Sequence, residues 1–287
     1  MKYYILALRP RQWTKNFILF AGIIFSQNFF IAELILKTVF AFIAFCLLAS
    51  SVYLFNDLRD IESDRLHPIK QHRPIACGKV KPASAIVLAV LLAAVSLTAA
   101  AFLDEEFFYL CIGYFVGMLF YSYFLKHVVI LDIMIIAAGF VVRAIAGAAV
   151  IDVTISSWLL VCTTFIALFL VIAKRRHEVI LLGEEAKEHR QSLEEYGDRF
   201  LDQMIAIVTT ATMMGYILYT VDAVTIAKFG TSNLIYTAPF VLFGIFRYLY
   251  LVYQKNKGDR PEQVLLDDPP LLIAIFLWII TAILIIY

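Results

Sequence analysis

With 62% hydrophobic and only 16% charged residues among 287, and a mean hydropathy of +0.84, the chain lacks the polar surface needed to enclose a water-soluble core. A formal net charge of +1 provides no basic field for nucleic acid. The composition is that of an integral membrane protein.

The first feature in chain order is Arg9-Pro10-Arg11-Gln12-Trp13-Thr14-Lys15-Asn16, at the mouth of an apolar run. Trp13 suits an anchor at headgroup level, and Lys15 and Asn16 are the better candidates for substrate contact. A basic cluster before an apolar run also describes a secretory signal, but this run is long and lacks a small-residue cleavage site, so a retained helix is expected. Stretches long enough to cross a bilayer lie at 17-36, 38-57, 83-103, 107-125, 128-151, 155-173, 203-222, 233-253 and 270-287. The expected fold is an all-α, polytopic bundle of about nine transmembrane helices, one domain over 1-287. Two charged loops, roughly 58-82 and 174-202, interrupt it.

The second stretch ends in Asn56-Asp57-Leu58-Arg59-Asp60-Ile61-Glu62-Ser63-Asp64. Asn56, Asp60 and Asp64 recur at helical spacing and line one face, with Asp57 on the flank. Four oxygen-bearing side chains at the edge of a hydrophobic helix need cations, and hard oxygen ligands suit Mg²⁺. Tyr53 precedes Asn56 by three residues and faces the same side, as a phosphate or ribose ligand or as one of fifteen tyrosines at an interface belt. The loop continues into Arg65, His67, Lys70, His72, Arg73, Lys79 and Lys81, so metal-ligating acids are followed at once by phosphate-binding cations. Any single lysine among them is equally explained as a topology determinant, and the two histidines as surface residues or phosphate contacts.

Helix five carries Asp132 and Arg143 on nearly one face, with Lys126 at its mouth. Ionisable groups within a membrane point to function, a structural ion pair being the sober alternative. The second loop opens with Lys174-Arg175-Arg176-His177-Glu178 and closes with Tyr196-Gly197-Asp198-Arg199-Phe200-Leu201-Asp202. Asp198 and Asp202 make a smaller acidic pair, for a further Mg²⁺ or as an ordinary charged face. Cys46, Cys77, Cys111 and Cys162 show no metal or redox spacing and read as packing residues.

Twenty of the twenty-four Lys and Arg residues fall on one set of connections if the N-terminus is cytoplasmic. The positive-inside rule then puts both charged loops in the cytoplasm, with the C-terminus outside.

The acidic ladder, the span count and the Asp198-Asp202 pair resemble the UbiA superfamily of intramembrane prenyltransferases. Arg9 through Asn16, His72-Arg73-Pro74-Ile75-Ala76, Tyr121-Ser122 with Leu125-Lys126-His127, Leu131-Asp132, Ala138 through Gly147, and Lys174 through Glu178 resemble one branch of it. That branch transfers phosphoribose to a polyprenyl phosphate. Tyr121 and Lys126 are five residues apart, where aromatic prenyltransferases of the superfamily usually have four.

The resemblance implies a Mg²⁺-dependent pentosyltransferase that moves 5-phosphoribose from 5-phosphoribosyl 1-diphosphate to a long polyprenyl (decaprenyl) phosphate. It further implies an inner (plasma) membrane location, a cytoplasm-facing site, a homotrimer, and supply of pentose for cell-wall arabinan or glycolipid. The expected catalytic residues are Asp57, Asp60 and Asp64, with Asn56 and Asp60 as metal ligands. Lys15, Asn16, Tyr53, Lys70, Arg73, Lys79, Lys126, Asp132, Arg143, Lys174, Arg175, Glu178, Tyr196 and Asp202 are expected to bind substrate. The alternatives are prenyl transfer from a prenyl diphosphate to an aromatic acceptor and, outside enzymes, a transporter or a membrane scaffold.

Overall fold

The computed structural model describes residues 2–182, 195–255, 257–258 and 261–287, so part of the second charged loop lies outside them. The described residues are helical, with no strand. They form two compact units, the first running through Thr154 and the second taking the described residues from Ile155 onward.

The first unit begins with α1 (Lys2–Ala7), a 3-10 helix (Pro10–Leu19) and α2 (Phe20–Ile24). The long α3 (Ala32–Arg59) follows, then α4 (Ile61–Leu66), α5 (Pro82–Leu103), α6 (Glu105–Tyr123) and α7 (Leu131–Ala149). Leu19, Ile23, Phe45, Leu48, Phe107 and Tyr114 form its main core. A smaller cluster of Ala7, Leu54, Ile75, Val80, Ala85 and Ala89 lies under the first charged loop.

Between lipid-embedded helices there is no hydrophobic drive, so small residues and interhelical hydrogen bonds hold the crossings. Accordingly Ser51 Oγ donates to the Ala89 carbonyl and Ser96 Oγ to that of Ala44, both at 2.7 Å, fastening α3 to α5. The 3-10 helix packs on α7 so closely that a Cβ on Gly147 would lie 2.0 Å from the Leu19 carbonyl oxygen.

The second unit contains α8 (Ser157–Leu182), α9 (Asp198–Val221), α10 (Ala223–Phe229), α11 (Ala238–Gln254), α12 (Pro261–Asp267) and α13 (Pro269–Ile286). Tyr216 Oη, on α9, bonds Thr237 Oγ1 at 2.6 Å and accepts from Trp278 Nε1 at 2.7 Å, tying three helical segments together. Arg247 donates through two nitrogens to Asp268, whose Oδ1 also caps α13 at Leu271 N.

Among the described residues eight helices are long and apolar enough to span a membrane, one fewer than the nine or so expected, and the difference lies at the N-terminus. The run at 17–36 is not one helix: it divides between the 3-10 helix, α2, a turn in which Gln27 has φ 64°, and the start of α3. The tight contact with Gly147 leaves little width for an ordinary helix. Because a 3-10 helix rises faster per residue, these ten residues and the five of α2 still extend about 27 Å. Large apolar side chains along the spans, such as Phe40, Val87, Phe246 and Leu284, are exposed, as lipid-facing surfaces must be.

Candidate active site

The carboxylate ladder stands where α3 gives way to α4. Asp60 closes α3 with φ −95° and ψ 15°, so Asn56, Asp60 and Asp64 do not share one straight helix as their spacing suggested. The i to i−4 bonding nevertheless continues across the bend, Asp60 N to Asn56 O at 3.0 Å and Asp64 N to Asp60 O at 2.8 Å, which keeps the acids near one another. Asp57 is not on an open flank: it is 1% exposed.

Each carboxylate is met by a cation. Arg9 donates to Asp57 Oδ1, which Arg73 Nη1 also reaches at 3.2 Å. Arg73 Nη1 spans to Asp64 Oδ2 at 2.6 Å, and Lys126 Nζ is paired with Asp60 Oδ1. The repulsion and desolvation anticipated for clustered acids are therefore met largely by arginine and lysine of the chain itself.

Burial pushes the Asp64 carboxyl above its ordinary pKa, with Arg73 opposing the shift and Asp57 adding to it. For Arg73 burial works against the charged form, but Asp57, Asp64 and Asp60 together outweigh it and raise the pKa.

The turn that carries Lys126 is held from α3. Arg59 donates to the Ser122 carbonyl in the last turn of α6, and its guanidinium lies 4.7 Å from the Tyr123 ring centroid. On the other side of the turn Ile130, a β-branched residue, has φ 68°, a rare conformation of the kind that accumulates at functional sites. Asp132 follows it in the first turn of α7, fully buried. Arg9 and Arg59 stand outside the expected set. Their partners lie 48 and 63 residues away, so no local spacing announces them.

Other expected residues take different places. Tyr53 is half-buried with the Arg9 guanidinium 5.2 Å from its ring centroid, and Lys15 is also half-buried. Lys70 acts electrostatically on Asp64, and its amide, with that of Ile69, donates to His67 Nδ1. His67 is thus a buried organiser of the loop and not a surface residue. Lys79 is exposed, 5.8 Å from the Tyr3 ring centroid.

Asn16 and Arg143, both expected to bind substrate, are joined to each other inside the first unit. Both are buried, and Arg143 Nε donates to Asn16 Oδ1 at 2.7 Å while its other nitrogens donate to the Gly139 carbonyl and Tyr114 Oη. Three aromatic rings surround the guanidinium, so this is an internal strut between the 3-10 helix, α6 and α7.

In the second unit Arg175 and Glu178 are buried and paired with each other on α8, and Lys174 beside them is half-buried. Tyr196 is buried, stacked on Phe200. Asp198 is exposed at the start of α9, whereas Asp202 accepts from Arg176 Nε at 2.6 Å and Tyr253 Oη at 2.7 Å. The latter is thereby engaged as part of a side-chain network.

Among the described residues no three His, Cys, Asp or Glu side chains converge as a metal cage. Magnesium bound with phosphates needs less, since one or two carboxylates suffice when substrate oxygens and water complete the octahedron. Asp57 Oδ2 is buried without a hydrogen-bond partner, and the Asn56 amide and the Asp60 carboxylate adjoin it in sequence. This hard-oxygen donor set fits a Mg²⁺ shared with a phosphorylated ligand.

Acids and cations are thus held in balance at the end of a helix long and apolar enough to span a membrane. The UbiA prenyltransferase family matches residues 16–280, and the chain belongs to that family. It is 36% identical over 290 residues to a decaprenyl-phosphate phosphoribosyltransferase of Mycolicibacterium smegmatis, covering 96% of this chain and 89% of the relative. The protein of that name from Mycobacterium tuberculosis is 34% identical over 281 residues, covering 96% and 91%. A UbiA homolog from Archaeoglobus fulgidus bound to GPP and Mg²⁺ superposes with a TM-score of 0.73 over 99% of each chain at 19% identity, a likeness of fold.

Proposed function

We propose that the chain transfers 5-phosphoribose from 5-phosphoribosyl 1-diphosphate to a long-chain polyprenyl phosphate, of decaprenyl type, releasing diphosphate. The observation that carries this reading is the convergence of Arg9, Arg73 and Lys126, from three separate segments, on Asp57, Asp60 and Asp64. Such a site matches a donor with phosphates at both ends of a sugar and an acceptor that brings another. The names of the 36% and 34% identical relatives point the same way.

In the reaction the ribose C1 bond to the diphosphate oxygen breaks, its electron pair leaves with diphosphate, and an oxygen of the lipid phosphate bonds to C1. Asn56 and Asp60, joined by Asp57 Oδ2, would hold Mg²⁺, which when bound would supply positive charge for the diphosphate. Arg73 and Lys126, already fixed by the ladder, exchange part of their contact with carboxylates for contact with phosphate oxygens. Lys15, Lys70 and Lys79 take the remaining phosphates, and Tyr53 a phosphate or ribose oxygen. A phosphate monoester is mostly ionised near neutral pH, because its second pKa is about 6, so no strong general base is required. The acceptor tail lies along apolar helix faces.

We take the chain as one transferase domain of the inner membrane, with its site on the cytoplasmic side, where the water-soluble donor is found. Its product supplies activated pentose for cell-wall or other glycoconjugates, and the family resemblance favours a homotrimer. A second reading, prenyl transfer from a prenyl diphosphate to an aromatic acceptor, shares the fold and draws on the GPP-bound neighbour. The surplus of phosphate-binding cations and the spacing of Tyr121 and Lys126 count against it. Supplying purified protein with each donor and acceptor pair and separating the lipid products distinguishes the two.

A further inference from the structure

Arg9 combines three features that packing does not explain. Its backbone is left-handed, φ 54° and ψ 59°, immediately before Pro10, although residues preceding proline favour extended backbone. Strain of this sort persists where the surroundings over-determine it, and it gathers at ligand clamps. Its guanidinium shares Asp57 Oδ1 with Arg73, whereas Oδ2 of the same buried carboxylate has no hydrogen-bond partner. Two cations on one oxygen and none on its twin is an unusual way to satisfy a buried acid. Finally, the Arg9 side chain is 23% exposed against 1% for Asp57, so part of it reaches solvent while its partner is enclosed.

We propose that Arg9 binds a phosphate of the diphosphate donor, and that Asp57 stores its guanidinium until a divalent cation occupies the open Oδ2 edge. This rests on the metal and diphosphate site described under the proposed function. Without metal, Asp57, Asp60 and Asp64 are each paired with a cationic side chain. A divalent ion on those carboxylates weakens their hold on Arg9 and leaves positive charge uncompensated. An anion with closely spaced phosphate oxygens then suits the planar fork of arginine better than the single oxygen it gives up. The Tyr53 ring supports the guanidinium from one side throughout.

Arg9 therefore competes with the metal for Asp57 and cooperates with it in holding the anion, which gives opposite signs for two affinities. The test uses the full-length protein in nanodiscs, with Mn²⁺ followed by electron paramagnetic resonance and inorganic diphosphate followed by calorimetry at saturating Mn²⁺. In Arg9→Gln, Mn²⁺ affinity without anion is expected to tighten, while diphosphate affinity falls by about tenfold to a hundredfold. Arg9→Lys, which keeps the charge but loses the fork, recovers part of the diphosphate affinity. Diphosphate binding unchanged in Arg9→Gln, or a parallel loss of both affinities, overturns the proposal. Inorganic diphosphate also separates this from the donor assignment: if wild-type protein binds it in an Arg9-dependent way but does not bind 5-phosphoribosyl 1-diphosphate, the donor is wrong and Arg9 stands.

Discussion

Lys126, on the short 3-10 turn after α6, is paired with Asp60, which caps the C-terminus of α3, although the two are 66 positions apart. The pair joins the part of the ladder suited to a metal to the part suited to phosphate. Asp60→Asn is expected to lower Mg²⁺-dependent turnover by about a hundredfold or more. Lys126→Met should act mainly through a raised KM for the donor. Steady-state kinetics of both variants, with size-exclusion profiles to verify folding, checks this.

Arg73 serves two buried acids at once, Asp57 and Asp64. Removing one member of a buried charge pair leaves the other uncompensated, so Arg73→Ala should destabilise the protein by about 3 kcal/mol. The pH dependence has a definite sign. The pKa of Asp64 is already raised by burial, so its contribution to stability is full below the unfolded carboxyl pKa and is lost as pH rises through the higher folded value. Without Arg73 the folded value rises further, and the melting temperature of Arg73→Ala should fall more steeply with increasing pH than that of wild type. Asp64→Asn added to Arg73→Ala should flatten that slope.

The 3-10 helix carrying Lys15 depends on the absence of a side chain at Gly147, where a Cβ would sit 2.0 Å from Leu19 O. Gly147→Ala forces the 3-10 helix from α7 and should cost about 1–3 kcal/mol of stability, with loss of turnover. Gly113→Ala, on α6 with no atom within 4 Å of the added Cβ, is the control and should melt within about a degree of wild type.

The proposed Mg²⁺ site takes only a few protein oxygens and leaves the rest of the coordination to substrate and water, so the proposal gives the ion a role in the reaction and not in the fold. Chelation should abolish transfer, and Mg²⁺ should restore it. Circular dichroism and the melting temperature should stay within about two degrees of their starting values, because no folding energy is routed through the ion.

The sequence made the membrane class and the acidic ladder legible because both are local: hydropathy accumulates over one helix length, and helical spacing projects oxygens onto one side. The ends of most spans follow for the same reason, as with α5 beginning at Pro82 and α13 at Pro269. What local spacing does not carry is partnership. The Arg143 contact with Asn16 crosses 127 positions, so no local spacing announces that these two residues are partners. Arg9 read as one more topology cation because its purpose is apparent only with Asp57 beside it. The broken first helix escaped because hydropathy reports burial in lipid and not the rise per residue, and a 3-10 helix reaches as far with fewer residues. The UbiA family match over residues 16–280 agrees with the likeness the motifs suggested.

The most direct measurement is a donor and acceptor assay on purified wild-type protein with Mg²⁺, supplying labelled 5-phosphoribosyl 1-diphosphate with decaprenyl phosphate, and labelled prenyl diphosphate with aromatic acids. Formation of decaprenyl-phosphoryl-5-phosphoribose with release of diphosphate, absent in Asp60→Asn, is the expected result. Labelled lipid formed only from the prenyl diphosphate would contradict the assignment.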